Sequence, residues 1–222
     1  DDYLTNLSWT PDELFVLIAE VNRAQNEMNL NVYNSLTGTF VKTLFTEKAT
    51  TWVEPEHAAF FPNSNSKNFV WVSEKDGFNN LYYYSFDGKL IKKLTQNKFP
   101  VDAILGSNQK GTEIYFSATG VNGTNMLGYK VDLEGNQKLI TSREGVHNLI
   151  PNFDGSHFFD EFSTSTIPSK SLLIDKSGKS VTLLESNDKY VGYVKGTSEI
   201  KTIKSADGTT DLYTRLIKPS HF

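Results

Sequence analysis

The chain has no cysteine among its 222 residues, so disulfides and thiolate-held metals are excluded. Long apolar runs are also missing. No stretch approaches the roughly 20 residues that a membrane-spanning helix needs. The first residues, Asp1-Asp2-Tyr3-Leu4, already read as strand rather than as a leader, as in a mature start or, the favoured reading, a piece cut from a longer chain. Basic charge is not in excess. The 22 Lys and Arg face 26 Asp and Glu, and the net charge of −4 gives no electrostatic case for nucleic acid. Helical periodicity is absent as well. What the chain does have is aromatic residues (15 Phe, 10 Tyr and 3 Trp), the side chains that favour half-buried strand surfaces.

Residues 71–95 show how these aromatics are used. Trp71, Val72 and Ser73 end an apolar run, Glu74-Lys75-Asp76-Gly77 reads as a turn, and 81–84 is an aromatic strand. Residues 90–94 return. Between them Asp87-Gly88 predicts a two-residue type I′ hairpin, with both central residues at positive φ. A three-strand meander this short does not bury its own faces. It is expected to stack on copies of itself.

Such copies are present. Gly38, Gly88, Gly135 and Gly178 mark equivalent turns at spacings of roughly 50, 47 and 43 residues. The repeats span residues 3–48, 57–97, 101–142 and 146–186. Each reads as four short antiparallel strands, the pattern of a β-propeller blade. The expected fold is therefore all-β, four four-stranded antiparallel blades. An immunoglobulin-type sandwich has no such period. Four blades are the lower limit for closure, so an arc of a larger propeller is expected, with exposed faces and edges that self-associate. Residues 1–195 are assigned to this partial propeller. Residues 196–222 are assigned to exit strands leading to a further domain, with short strands expected at 190–194, 199–203 and 212–217.

The loop Thr50-Thr51-Trp52-Val53-Glu54-Pro55-Glu56-His57 joins the first two repeats. Inter-blade loops on one face of a propeller are common ligand sites. Trp52, Glu54, Glu56 and His57 are candidate substrate-binding residues, the ring suited to an apolar side chain and the carboxylates to an amine. The same composition also fits a solvated loop capped by a tryptophan. No metal-ligand spacing is present apart from this cluster, and neither metal nor cofactor is expected.

Nucleophilic catalysis finds no support. Gly106-Ser107, Gly155-Ser156 and Gly178-Lys179-Ser180 lack the second glycine of a Gly-x-Ser-x-Gly elbow. His147 and His157 lie in strands of the fourth repeat and read as structural, and His221 sits at the chain's last residues. The chain alone is expected to be catalytically inert. Lys92, Lys93 and Asp87 read as solvent-facing hairpin charges. Alternation along Tyr82-Tyr83-Tyr84 should bury one or two of the three rings. Asn6-Leu7-Ser8 and Asn122-Gly123-Thr124 match the glycosylation acceptor pattern.

Two phrases carry a family resemblance. One is Ser73-Glu74-Lys75-Asp76-Gly77-Phe78-Asn79-Asn80-Leu81-Tyr82, within residues 71–95. The other is the tail, from Ala206-Asp207-Gly208-Thr209-Thr210 through Arg215-Leu216-Ile217-Lys218-Pro219-Ser220-His221-Phe222. Both resemble the dipeptidyl peptidase IV family of prolyl oligopeptidase-type serine peptidases, and residues 153–168 are similar to that family's last blade. The resemblance implies an eight-bladed propeller capping an α/β-hydrolase domain. It implies removal of N-terminal dipeptides, usually after proline, with an acidic pair on the propeller holding the substrate amine. This chain would be the second half of that propeller, beginning after the acidic pair, and Asp1-Asp2 does not replace it. The Trp52 loop corresponds to a segment near the family's substrate cavity, although Glu54-Pro55-Glu56 stands where an aromatic usually follows the Trp-Val pair.

The partners implied are peptide substrates, the hydrolase domain and the remaining blades, in a periplasmic or extracellular bacterial setting. The competing reading is a non-enzymatic interaction propeller of the Tol type, which shares phrases like residues 73–77. A tryptophan–aspartate propeller lacks its Gly-His and Trp-Asp pairs here. A sialidase-type glycosidase would need Asp where Lys75 stands.

Overall fold

The computed structural model describes residues 2–141 and 144–221. Among them every regular element is a strand. β1 (Tyr3–Trp9), β2 (Phe15–Val21), β3 (Glu27–Asn34) and β4 (Phe40–Lys48) form the first sheet in chain order. β5 (Asn68–Ser73), β6 (Asn80–Ser85) and β7 (Leu90–Lys93) form the second. β8 (Val101–Ser107), β9 (Glu113–Ala118), β10 (Leu127–Asp132) and β11 (Gln137–Leu139) form the third. β12 (Val146–Pro151), β13 (His157–Ser163), β14 (Lys170–Asp175) and β15 (Ser180–Glu185) form the fourth. β16 (Thr197–Lys204) and β17 (Asp211–Lys218) make a separate antiparallel hairpin. The four larger sheets are antiparallel meanders, the blades of a propeller fold.

The second blade departs from four full strands. Its first strand is reduced to one bridge, in which Phe60 and Val70 exchange N–H···O bonds of 2.9 and 2.8 Å. Pro55 and Pro62 flank that bridge and supply no N–H to extend it. The Asn63–Ser66 turn then reverses the chain. Residues 190–194 also differ from expectation. They form turns, with Tyr193 N–H bonded to Tyr190 O at 3.1 Å and Gly192 at φ 88°, and not a strand.

The turns of the last three blades share one geometry, and it is not type I′, whereas in the first blade Gly38 (φ 68°) bonds its N–H to Asn34 O, one residue further back. At Ser85-Phe86-Asp87-Gly88 only the glycine has positive φ (89°), and its N–H bonds Ser85 O at 2.9 Å. This is a type I turn followed by a left-handed glycine that opens a bulge. Gly135 and Gly178 repeat it, each at φ 89° and bonded to Asp132 O and Asp175 O. Ser85 Oγ donates to Asp87 Oδ1 and Lys89 O, whereas the first residue of the turn in the third and fourth blades accepts with its side chain. Asp132 Oδ1 takes the N–H of Glu134 and Asn136, and Asp175 Oδ1 those of Ser177 and Lys179. Those hydrogen bonds hold both carboxyls below the usual aspartate range, the side-chain donors Asn136 and Ser177 contributing most.

Alternation explains the stacking. Along β5, Phe69 and Trp71 point into a cluster shared with β2, β3 and β4, while Val70 and Val72 point into one shared with β8, β9 and β10. Along β6, Tyr82 and Tyr84 join the first cluster, and Leu81 and Tyr83 join the second. Both faces of the second blade are covered, so its strands read as continuous apolar and aromatic runs. All three tyrosines therefore pack, although Tyr83 is only partly buried. A third cluster (Tyr115, Ile140, Leu149, Phe158 and Ile174) joins the third and fourth blades. Stacked rings of Phe45, Phe69 and Tyr84 and an edge contact from Phe45 to Trp71 (5.9 Å) hold the first two blades together.

Candidate functional site

The loop that carries the candidate residues is fixed from both sides. Its floor comes from the first blade: Val53 is buried in the core, and its N–H bonds Gln25 O at 2.7 Å. Its far limb is held by Asn6. Between Thr5 and Ser8 the β1–β2 register breaks in a bulge, and Asn6 there has φ 54°. From that position Asn6 Nδ2 donates to Pro55 O at 2.7 Å and to His57 O at 3.0 Å. The chain then enters the Phe60 bridge. The loop is therefore a shaped ledge and not a solvated tether.

The four candidate residues divide. Trp52 is 62% exposed and Glu54 is exposed, and neither is drawn into a cluster. Glu56 and His57 do come together, with Glu56 Oε2 3.9 Å from His57 Nε2. Glu56 Oε2 also accepts from Asn79 Nδ2 at 2.9 Å, which links the ledge to the β5–β6 turn of the second blade. His57 Nε2 is a buried atom with no hydrogen-bond partner. Among the described residues no group of three His, Asp or Glu side chains could hold a metal ion.

Beneath the β5–β6 turn lies a polar cluster that the sequence did not reveal. Ser73 Oγ donates to Glu47 Oε2 at 2.8 Å, and Lys75 Nζ stands 3.7 Å from Glu47 Oε1. Lys75 also donates to Tyr84 Oη at 2.6 Å and lies 4.0 Å from the Tyr82 ring centroid, a cation–π distance. Tyr82 Oη and Lys93 Nζ both reach Asp76 Oδ2, at 2.8 and 2.6 Å. Burial pushes the Glu47 carboxyl up, against the opposing hydrogen bond from Ser73 and the Lys75 charge. Asp76 is held low, by Lys93 and then by Tyr82. Burial raises the Tyr82 and Tyr84 phenols, so both stay neutral donors or acceptors. Lys93 is therefore part of an inter-strand network and not a free hairpin charge, whereas Lys92 is exposed.

The two histidines expected to be structural differ in placement. His147 is buried, its Nδ1 2.8 Å from Asp160 Oδ2, and its ring stacks on Phe162 at 4.7 Å. His157 is exposed, with Nδ1 2.9 Å from Ser156 Oγ. Of the two acceptor patterns, Asn6 spends its side-chain amide on the loop carbonyls. Asn122 accepts from Thr124 N–H and Oγ1 at 3.1 and 2.8 Å. Asn6 and Asn79 are the anchors that sequence reasoning missed. The only signal for Asn6 is its residue type, since Asn tolerates left-handed φ better than most.

Comparison with known proteins gives a consistent result. A family model described as the dipeptidyl peptidase IV (DPP IV) N-terminal region matches residues 1–169. A structure described as a putative dipeptidyl aminopeptidase IV from Bacteroides ovatus ATCC 8483 superposes with a TM-score of 0.91 at 33% identity. That match covers 100% of this chain and 34% of the other. Porphyromonas gingivalis dipeptidyl peptidase 4 superposes with a TM-score of 0.87 at 19% identity, covering 100% of this chain and 32% of the other. The chain thus spans about a third of the length of either structure.

Proposed function

The chain belongs to the dipeptidyl peptidase IV N-terminal region family, and from that premise we propose that it is the propeller portion of a serine exopeptidase that removes N-terminal dipeptides of the Xaa-Pro type. Its part in that enzyme is to shape and gate the substrate cavity. The observation that carries the reading is the anchored ledge of residues 52–57. A propeller that contributes to a substrate cavity needs a rigid rim with an apolar surface and negative charge. Here Asn6 and Gln25 fix the backbone while Trp52, Glu54 and Glu56 stay exposed. Trp52 would meet an apolar side chain of the peptide, and the carboxylates would meet its cationic amine. The proposal carries with it a periplasmic or extracellular setting, with peptides, the remaining blades and a hydrolase domain as partners.

The chain's own residues contribute binding and orientation only, because no Gly-x-Ser-x-Gly elbow occurs in the sequence. The test is cleavage of a Gly-Pro chromogenic substrate by this 222-residue protein and by a version extended to the native gene boundaries. Activity is expected only in the extended protein. There, Trp52→Ala should lower kcat/KM about tenfold, roughly the worth of one aromatic anchor. Turnover by the short protein, or none by the extended one, would overturn the proposal.

A further inference from the structure

The sequence contains one Asn-Gly pair, Asn122-Gly123, in the connection between β9 and β10. An asparagine before glycine is able to convert without an enzyme. The main-chain nitrogen of the glycine attacks the asparagine side-chain carbonyl carbon and expels ammonia. Glycine suits the second position because it has no Cβ to obstruct the approach. The fold decides whether such a pair reacts, since the nitrogen must be unengaged and the carbonyl must lie over it.

Both conditions are met at Asn122. Gly123 is exposed, and its N–H has no acceptor among the described residues. The preceding Val121 is 91% exposed, so water and hydroxide reach the loop. Asn122 Oδ1 accepts from the N–H and the Oγ1 of Thr124, at 3.1 and 2.8 Å. Thr124 lies beyond the glycine, so these two bonds fold the side-chain carbonyl back over the Asn122-Gly123 peptide. They also set two donors on the oxygen that gains negative charge during the attack. The four Asp-Gly pairs, which cyclise by the same route, are arranged otherwise. The N–H groups of Gly77, Gly88, Gly155 and Gly208 are bonded to Glu74 O, Ser85 O, Asn152 O and Ser205 O, at 2.7, 2.9, 3.1 and 2.9 Å. A proton held in such a bond is harder to remove, and the turn keeps the nitrogen pointed at its acceptor.

We propose that Asn122 is a site of spontaneous deamidation in the folded protein, with water and hydroxide as the co-reactants. Hydroxide removes the Gly123 N–H proton, the nitrogen bonds to Asn122 Cγ, and the Cγ–Nδ2 bond breaks as ammonia leaves with a proton from water. The product is a five-membered succinimide. Water then opens it, at Cγ to give aspartate or at the main-chain carbonyl to give isoaspartate, with no oxidation or reduction. Either product carries a new negative charge, and isoaspartate adds one main-chain atom. Both changes fall where the loop meets the β16–β17 hairpin. There a Cβ on Gly123 would stand 3.6 Å from the Tyr213 ring, and Asn122 lines a cleft together with Arg215.

The test incubates the folded protein, extended to its native gene boundaries, in mildly alkaline buffer beside synthetic peptides that span each pair. Peptide mapping by mass spectrometry follows deamidation, and enzymatic methylation of isoaspartate follows the branched product. Asn122 should react in the folded protein at least as fast as in its peptide. Asp76, Asp87, Asp154 and Asp207 should each form isoaspartate at least about tenfold more slowly folded than in their peptides. Gly123→Ala places its Cβ at ordinary contact distance from Tyr213 and so leaves the fold intact, and it should slow the reaction about tenfold or more. The proposal fails if folding slows Asn122 as much as it slows the Asp-Gly pairs, or if Gly123→Ala leaves the rate unchanged. None of these readouts depends on peptidase activity.

Discussion

Asn6 spends one side chain on two distant carbonyls, and its backbone conformation puts it in position to do so. Alanine at position 6 would lose both hydrogen bonds to the ledge, and its Cβ would sit at a φ of 54° that it tolerates poorly. The expected loss is about 1–3 kcal/mol in chemical denaturation, together with faster hydrogen exchange across residues 52–57. Asn6→Gly separates the two causes, because glycine relieves the φ strain but not the lost bonds. If the glycine variant matched the parent in ledge protection, Asn6 would not be the anchor. Glu47 gives a prediction of another kind. Its carboxyl is raised above the ordinary value of 4.5, chiefly by burial, and its side chain is 11% exposed. The folded state therefore holds the proton more readily than the unfolded one. Stability should fall as pH rises from 4.5 through the raised value, then level off. Glu47→Gln, which keeps an acceptor for Ser73, should flatten that part of the profile and be more stable than the parent at neutral pH. A parent profile that rises with pH across this window would refute the argument.

The turns show how far the sequence could be read at the level of elements. Glycine spacing pointed to repeated blades, and strand alternation predicted that one or two of Tyr82, Tyr83 and Tyr84 would be buried, as Tyr82 and Tyr84 are. The turn type was not legible from Asp87-Gly88, because the dipeptide fits both a two-residue loop and a three-residue loop with a bulge. The decision lay two residues earlier, with Ser85 accepting the Gly88 N–H. The truncated first strand of the second blade had a signal in Pro55 and Pro62. The ledge's anchors had almost none, since Asn6 and Asn79 act over 49 and 23 residues of separation. Local pattern reports faces and turns, whereas a side chain reaching another blade's loop is fixed only by the stacked geometry. The glycines themselves can be ranked. Gly88 and Gly178 share φ 89°, but a Cβ on Gly88 would stand 1.9 Å from Leu44 O, and one on Gly178 would meet nothing within 4 Å. Gly178→Ala should cost about 1 kcal/mol, the left-handed penalty alone. Gly88→Ala should cost about 3 kcal/mol or more, because β4 of the neighbouring blade must move. Equal losses in thermal or urea unfolding would show that the Leu44 contact relaxes freely.

Across the whole molecule the three apolar clusters join adjacent blades, and the two outer sheets of the series each keep one uncovered face. On the first blade, Trp9 pairs with Val16, which pairs with Tyr33, and Tyr33 with Phe40, so these side chains share the face turned away from the second blade. Trp9 and Phe40 are more than half exposed there. On the fourth blade Ile150, Phe159, Leu173 and Val181 are aligned the same way by register, and Ile150 and Val181 are also more than half exposed. Each apolar row is bordered on the same face by polar pairs, Asn31 with Glu20 on the first blade and Asn148 with Glu161 on the fourth, and an exposed apolar row of this kind is an interface in a stacked-blade architecture. A further blade on each side is the covering the proposed parent protein would supply. The 222-residue protein alone should therefore associate through these faces, with a weight-average mass that rises with concentration in sedimentation. Trp9→Lys and Val181→Lys place a charge on each face at exposed sites, where substitution alters stability by about 0.5 kcal/mol or less. Each single variant should cap growth at one face, and the double variant should sediment as a monomer. If association persisted undiminished in the double variant, it would have to run through another surface, and the exposed β16–β17 hairpin would be the next to test.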